Sequence, residues 1–353
     1  MILTDRSRIE ADWMCPRKRY WLTEYDGGGI VPATDAPPLA FGKVVHTGIE
    51  AGIRYDAEGY AQGDDSLTIM KTCSEWDTLS ADQQDTAVAI VIGFFVTVWP
   101  EWMRQYEPMA VELELEWEQD GVLFMMRPDL LLKDKETGDI WYPDFKTFTS
   151  SLDHRKYTWS LQQQLTMLAC EQALGVPLTG AWIQGLGKGS GRKGVLYHPL
   201  VYGYRHPGVP GVSEPTFGIK RRSGFERFNT KTYPHGGIKG WIQQLHKREP
   251  EMVAKIFPRS HPLFLNRHLM DQVLPHIIGR EREIHHIKKE DIDNPRELFP
   301  MHITNCETGW GKCAYFDACH VPIITKDPVG SGSYQLRTPH HAAERKVWDV
   351  PHD

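Results

Sequence analysis

Long uninterrupted apolar runs are missing from these 353 residues. The longest, Ala87 to Trp99, has about 13 residues, short of the roughly 18 to 20 that span a bilayer, and Asp85 and Pro100 bound it, so no membrane span is predicted. The N-terminus, MILTDRSRIEADW, lacks the apolar stretch of a secretory peptide and carries acids and an arginine pair in its place. A cytoplasmic location, in a bacterial or archaeal cell or a phage host, is therefore expected. Cysteine is scarce, at six residues, and in a reducing compartment these read as thiols or metal ligands rather than disulfides. Cations are not in excess: 40 Lys and Arg against 46 Asp and Glu leave a formal net charge of −6, which excludes holding a polyanion by bulk charge. Any nucleic-acid site has to be local. No internal repeat is present, and the glycine-rich GLGKGSGRKG lacks the G-K-[ST] of a phosphate loop, so neither an ATP motor nor a helicase is read here.

What is present is an ordinary globular composition, 41% hydrophobic and 24% charged, in a length that suits two domains or one large domain with insertions. Helices are predicted from Thr4 to Trp21, with Thr4 or Asp5 as N-cap, from Phe41 to Ile53 around His46, and from Ser80 to Tyr106 with an interruption near Pro100. The period then changes. Val111, Leu113, Leu115 and Trp117 alternate with Glu112, Glu114, Glu116 and Glu118, which predicts a half-buried strand from Val111 to Glu118. A Gln119-Asp120-Gly121 turn leads into a second strand, Val122 to Lys133, and a third is predicted from Ile140 to Lys146. A helix from Ser160 to Leu174, stopped by Gly175, and a buried strand from Gly180 to Gly185 follow. From Gly187 to Tyr233 the chain is rich in Gly, Pro and basic residues. Helices are expected again from Ile238 to Lys255 and from Pro262 to Ile287, and a mobile or surface-draped tail from Lys326 onward.

Asp129, after Pro128 on one predicted strand, and Asp144-Phe145-Lys146 on the next carry the first chemical signal. Two Asp oxygens with the backbone carbonyl of Phe145 make a hard oxygen site suited to Mg²⁺ or Mn²⁺, and Lys146 shares the face of Asp144. A divalent cation beside an ammonium is what phosphodiester hydrolysis needs, although the same pattern alone also describes a solvated hairpin end. His46 is a candidate ligand, against the plainer reading of a hydrogen-bonded helix histidine. Glu112 or Glu114 can join the metal if the glutamate face looks into a cleft rather than into solvent. Among Gln162, Gln163 and Gln164, Gln163 is the choice for a side chain that reaches the strand end. Lys188, Arg192, Lys193, Lys220, Arg221, Arg222 and Arg227 are candidates for a nucleic-acid path, with Phe217, Phe225 and Phe228 able to stack on bases; a solvated loop is the alternative. Cys306, Cys313 and Cys319 suggest a metal cluster with a fourth ligand elsewhere, and no histidine stands where a CCCH zinc finger needs one. Cys73 and Cys170 read as buried small hydrophobes.

In this order the residues resemble the RecB-like branch of the PD-(D/E)XK nucleases, in particular the AddB-like and CRISPR-associated exonucleases that carry an iron-sulfur cluster. The resemblance runs over nearly the whole chain, through CPRKRY at Cys15, G-x-x-x-H ending at His46, Pro128-Asp129, Asp144-Phe145-Lys146, the glutamine helix and the three late cysteines. It implies an α/β fold of restriction-endonuclease type, a mixed sheet flanked by helices. The implied metal site comprises His46, Asp129, Asp144 and the Phe145 carbonyl, with Lys146 and Gln163 assisting. Cys15, Cys306, Cys313 and Cys319 would hold a [4Fe-4S] cluster that clasps the chain ends. The implied activity is Mg²⁺- or Mn²⁺-dependent DNA cleavage by an exonuclease acting on ends, including single-stranded ones, in recombination, repair or phage- or CRISPR-linked processing. A separate helicase or a recombination or annealing protein would be its partner. One domain is expected over residues 1–325, with its core at about 41–186, a basic insertion at about 187–233, a helical and cysteine-bearing region at about 238–325 and a tail at 326–353. The alternatives are a catalytically silent DNA-binding scaffold of the same fold and a zinc-stabilised regulatory protein. Two departures from the family pattern stand out: the first late cysteine gap is six residues rather than two, and Met167 stands where a tyrosine usually follows the glutamine.

Overall fold

The computed structural model describes residues 2–34, 37–57, 64–149, 152–192, 195–198, 200–201, 237–290, 298–308, 311–339 and 341. Lys193, Lys220, Arg221, Arg222 and Arg227 of the expected nucleic-acid path, with Phe217, Phe225 and Phe228, lie outside the described residues.

The helix expected from Thr4 is divided. Strand β1 (Ile2–Asp5) precedes α1 (Arg6–Met14), and Asp5 is the cap, its Oδ1 accepting the Arg8 N–H at 3.0 Å. Cys15 is extended, at φ −168° and ψ 112°, because Pro16 disfavours helical dihedrals in the residue before it and opens α2 (Pro16–Arg19). Strand β2 (Ile30–Pro32) and helices α3 (Pro37–Ala57) and α4 (Asp64–Thr72) follow. Helix α5 (Ala81–Gly93) opens on a Ser80–Gln83 capping box and passes through a π-helical turn, Phe94–Val98, into α6 (Trp99–Gln105). The break expected at Pro100 is absorbed there, since the π turn leaves the proline at the start of the next segment, where its missing N–H matters least. The stretch Ala81–Gln105 is long and apolar enough to cross a membrane, yet Ala87, Ile90, Phe94 and Trp99 are buried in a core that also contains Phe41, Val45, Phe145 and Trp182.

The two strands expected from Val111 to Glu118 and from Val122 to Lys133 each break in two. This gives β3 (Tyr106–Val111), β4 (Leu115–Gln119), β5 (Val122–Met126) and β6 (Leu130–Asp134). The breaks lie level with one another. Glu112 adopts φ +48° and donates its N–H to the Asp129 carbonyl at 3.1 Å, while Pro128 can give no ladder hydrogen bond on the other strand. One half of the hairpin joins a sheet of order β1-β5-β4, with β1 parallel to β5. The other half joins a sheet of order β3-β6-β7-β8, where β7 (Ile140–Phe148) runs parallel to β8 (Gly180–Gly187). Asp120 and Gly121, at φ +52° and +78°, make the tight turn between β4 and β5.

After the short α7 (Arg155–Thr158), α8 (Leu161–Leu174) ends on left-handed Gly175 and serves both sheets. Its Leu165 and Ala169 pack with Trp117 and Phe124, and its Met167 and Cys170 with Tyr142 and Ile183. The ribbon β9 (Ser190–Arg192) and β10 (Val195–Tyr197) follows. Pro250 splits the next expected helix into α9 (Gly237–Arg248) and α10 (Pro250–Ile256). Helix α11 (Arg267–Glu290) starts later than expected because the chain before it bridges to β8, Arg259 opposite Gln184 and Leu263 opposite Ala181. The C-terminal part holds β11 (Glu307–Thr308), β12 (Gly311–Lys312), α12 (Phe316–His320), α13 (Pro322–Lys326) and β13 (Tyr334–Leu336). The loose tail expected from Lys326 is corrected at β13, which pairs with β2 and buries Tyr334 beside Trp21, Ile30 and Tyr315. Three residues are too few to show a period in sequence. A buried ion cluster also joins distant parts of the chain. The Arg19 guanidinium donates to both Glu281 oxygens at 2.9 Å and to Glu24 at 3.0 Å, and Glu281 accepts from the Thr4 hydroxyl at 2.7 Å.

Candidate metal centre and its cleft

The level breaks place Glu112 and Asp129 at the junction of the two sheets, and α3 lays His46 against them. His46 Nδ1 is 3.8 Å from Asp129 Oδ2, and one ligand atom from each of His46, Glu112 and Asp129 falls within 4.8 Å of the others. Strands β6 and β7 pair only through Leu132–Trp141 and Lys133–Ile140, after which they part, and the parted edge of β7 carries the third carboxylate. Phe145 donates its N–H to Asp129 Oδ2 at 2.8 Å. Because the N–H and C=O of one strand residue share an edge, the Phe145 carbonyl faces the same opening.

Asp144 is 1% exposed. Its Oδ1 accepts from the Tyr142 hydroxyl at 2.9 Å and from Gln162 Nε2 at 3.3 Å. Its Oδ2 lies 2.6 Å from Lys146 Nζ as an ion pair without hydrogen-bond alignment, which leaves a buried oxygen with no hydrogen-bond donor among the described residues. Burial pushes the Glu112 carboxyl up to about 8, and the charge of Asp129 adds to this, while Arg127, with Nε 2.9 Å from Glu112 Oε2, offsets it only in part. Burial and Asp144 likewise raise Asp129 against the opposing pull of His46, Lys146 and the Phe145 N–H. Burial and the Asp144 carboxylate hold the Tyr142 hydroxyl well above its ordinary value, so it remains a donor. Clustered carboxylates that resist ionising together, one orphaned oxygen and an imidazole fit a hard divalent cation of the Mg²⁺ or Mn²⁺ kind.

These groups border a cleft of about 720 Å³, which Arg6, Lys43, His46, Glu112, Lys146 and Gln162 help to line. The structure thus brings together His46, Asp129, Asp144 and Lys146, and of the two glutamates Glu112 is the one grouped with His46 and Asp129. It corrects Gln163. That side chain is fully buried and neither amide atom has a hydrogen-bond partner among the described residues, whereas Gln162 reaches Asp144. Consecutive helix positions point about 100° apart, so the rotational setting of α8 decides which glutamine faces the site, and that setting is not written in a run of three. Lys188 is half-buried with Nζ 5.7 Å from the Phe41 ring centroid, its pKa lowered by burial, and it does not border the cleft. Arg192 closes β9, opposite Val195. Cys73 departs from the expected buried hydrophobe: it is at the cleft rim and donates its S–H to Glu75 at 2.9 Å. Arg6 belongs to no motif, and only the pairing of β1 with β5 reveals it.

A second constellation joins the chain ends. Cys15 Sγ accepts the His302 N–H at 3.4 Å, Cys313 donates its N–H to the Cys306 carbonyl at 2.8 Å, and the Trp21 indole N–H reaches Cys319 Sγ at 3.3 Å. Burial raises the Cys306 thiol, with Cys15 and Cys313 close enough to add to it. Cys319 is raised by burial in the same way, with Cys313 and Cys15 as neighbours. All four are free thiols. Hydrogen bonds from N–H donors to sulfur are a recurrent way of tuning metal-bound cysteine.

No protein-family model matches the chain, and no curated protein matches it in sequence. Among solved structures it is similar to a provisionally assigned exonuclease from Eubacterium rectale, with a TM-score of 0.37 and 10% sequence identity over 74% of this chain and 84% of that one.

Proposed function

We propose that this chain is a divalent-metal-dependent nuclease that hydrolyses phosphodiester bonds in DNA. The observation that carries the reading is the convergence of His46, Glu112, Asp129, Asp144 and Lys146 on one centre from α3, the two strand breaks and the parted edge of β7. His46, the three carboxylates and the Phe145 carbonyl would hold Mg²⁺ or Mn²⁺. When bound, the cation supplies water activation and neutralises charge on the reacting phosphate. Lys146, ion-paired with Asp144, would offer its N–H donors to the attacking oxygen or the phosphate. Gln162 and Tyr142 fix the rotamer of Asp144. The order of the motifs points, within this class, to an exonuclease acting on DNA ends in one domain over about 1–325. The same reading assigns Cys15, Cys306, Cys313 and Cys319 to a [4Fe-4S] cluster, supported by the nearness of Cys15 and Cys313 to both Cys306 and Cys319.

End-labelled linear DNA should be degraded with Mg²⁺ or Mn²⁺, closed circular DNA spared, and both left intact in EDTA. Absence of cleavage of either substrate with either metal would remove the enzyme reading and leave the DNA-binding scaffold. Gln162→Ala is expected to lower turnover about tenfold without unfolding the protein. Gln163→Met should leave turnover alone and raise stability by about 1–2 kcal/mol, because it deletes a buried amide that bonds nothing. Denaturant melts run beside the cleavage assay separate the two glutamines, and a turnover loss confined to Gln163→Met would reverse the assignment.

The metal-free protein carries a pH signature. Glu112, raised from its ordinary 4.5 to about 8, keeps in the folded state a proton that the unfolded chain has already released. More protons bound when folded means that stability in chelator falls as pH rises from about 4.5 to about 8. Excess Mg²⁺ or Mn²⁺, which replaces that proton, should flatten the decline, and so should Glu112→Gln without metal. A melting temperature in EDTA that rises across this window contradicts the buried-carboxylate account.

A further inference from the structure

Arg6 stands in the cleft of the acidic centre with its donors largely uncommitted. The parallel register of β1 with β5 sets Asp5 level with Met125, so Arg6, the first residue of α1, lies beside the chain just before Arg127-Pro128-Asp129. It borders the same cleft as His46, Asp129 and Lys146, and its side chain is 40% exposed. Glu10 is its one ion-pair partner among the described residues, at 3.9 Å. Burial alone would lower its pKa, and the fields of Glu10, Tyr142, Asp144 and Asp129 more than reverse this. The guanidinium is therefore within electrostatic reach of both aspartates.

The five other Lys and Arg of the cleft are spoken for, Arg337 being buried with its Nε donating to the Gly28 carbonyl at 3.1 Å. Lys43 pairs with Glu75 at 2.9 Å and Arg54 with Glu50 at 2.9 Å, while Arg127 holds Glu112 at 2.9 Å and Lys146 holds Asp144 at 2.6 Å. A guanidinium offers five N–H donors in a planar fork that matches two oxygens of one phosphate. We propose that Arg6 grips the non-bridging oxygens of the nucleic-acid phosphate lying over the acidic centre. The inference rests on the nuclease reading for its substrate class, and it adds a residue that no motif contains.

The test uses a fluorescent single-stranded oligonucleotide, with Ca²⁺ in place of Mg²⁺ so that binding is followed without turnover, across a range of salt. Arg6→Ala should weaken binding about 10- to 100-fold, as loss of a hydrogen-bonded charged contact does. It should also flatten the plot of log affinity against log salt by about 0.7 to 0.9. Arg6→Lys should keep the salt slope yet recover little of the Mg²⁺-dependent cleavage rate, since an ammonium cannot bridge two oxygens. Glu10→Gln frees Arg6 and should leave affinity equal or tighter. Wild-type affinity and slope in Arg6→Ala overturn the proposal. So does an equal loss in Arg6→Ala and Glu10→Gln with lowered melting temperatures, which marks a structural pair. Arg6-dependent binding by a wild-type protein that cleaves nothing with Mg²⁺ or Mn²⁺ keeps the phosphate grip and discards the nuclease.

Discussion

Asp144→Asn is expected to lower DNA cleavage by about 10³-fold or more while the protein stays folded. The amide keeps the shape that Tyr142 and Gln162 hold, but it removes the negative charge from the most deeply buried carboxylate of the centre. Lys146→Met should be as damaging to turnover for a different reason, and it should also cost stability. Without its ammonium at 2.6 Å, Asp144 is left as a buried charge with no cation beside it. Removing one partner of a buried pair typically costs about 3–5 kcal/mol, and the partial exposure of Lys146 places the cost here toward the lower end. The double variant Asp144→Asn/Lys146→Met then becomes diagnostic, because stability should return toward wild type and activity should not. Cleavage in Asp144→Asn within tenfold of wild type would exclude this carboxylate from the chemistry.

Cys15→Ser, Cys306→Ser and Cys319→Ser should each abolish the bound iron of anaerobically purified protein, which is otherwise expected to be brown with about four irons and four sulfides per chain. Cys15 lies at the break between α1 and α2, while Cys306 and Cys319 lie more than 280 residues away in sequence. Loss of the cluster should therefore free both ends together. Limited proteolysis should cut near α2 and near β11–β12 in the serine variants and spare both in wild type. Cys170→Ser and Cys73→Ser serve as controls with iron content unchanged. Stoichiometric zinc without iron would support the structural-zinc alternative and remove the [4Fe-4S] assignment.

Asp129, Asp144 and Lys146 stood out as candidates in the sequence because they sit where local pattern and chemistry coincide. Pro128 marks a strand interruption, and the spacing in Asp144-Phe145-Lys146 puts two charges on one strand face. The alternation from Val111 to Glu118 hid something that periodicity cannot carry: Glu112 sits in left-handed backbone, where the hairpin leaves one sheet for another. A residue of that kind normally costs strain, and here its N–H bond to the Asp129 carbonyl helps hold it. The choice of Gln162 over Gln163 depended on helix rotation. Arg6 depended on strand register between segments more than 110 residues apart, Ile2 with Val122 through Asp5 with Met125. Composition announced a basic segment as the nucleic-acid path, yet Lys188, its first cation, is folded against Phe41 rather than offered to the cleft.

The buried cluster of Arg19 with Glu281 has a consequence for how the molecule is made. A ribosome releases the segment that bears Arg19 long before Glu281, 262 residues later, has been synthesised. Until then Arg19 has Glu24, five residues on, but lacks the carboxylate that takes both of its terminal nitrogens, so its burial is only partly compensated. The clasp between α2 and α11 therefore closes late, and a chain ending before α11 never acquires the acid that completes it. A truncated product of that kind would leave Arg19 without its bidentate partner and the leading helices less firmly held than in the finished fold.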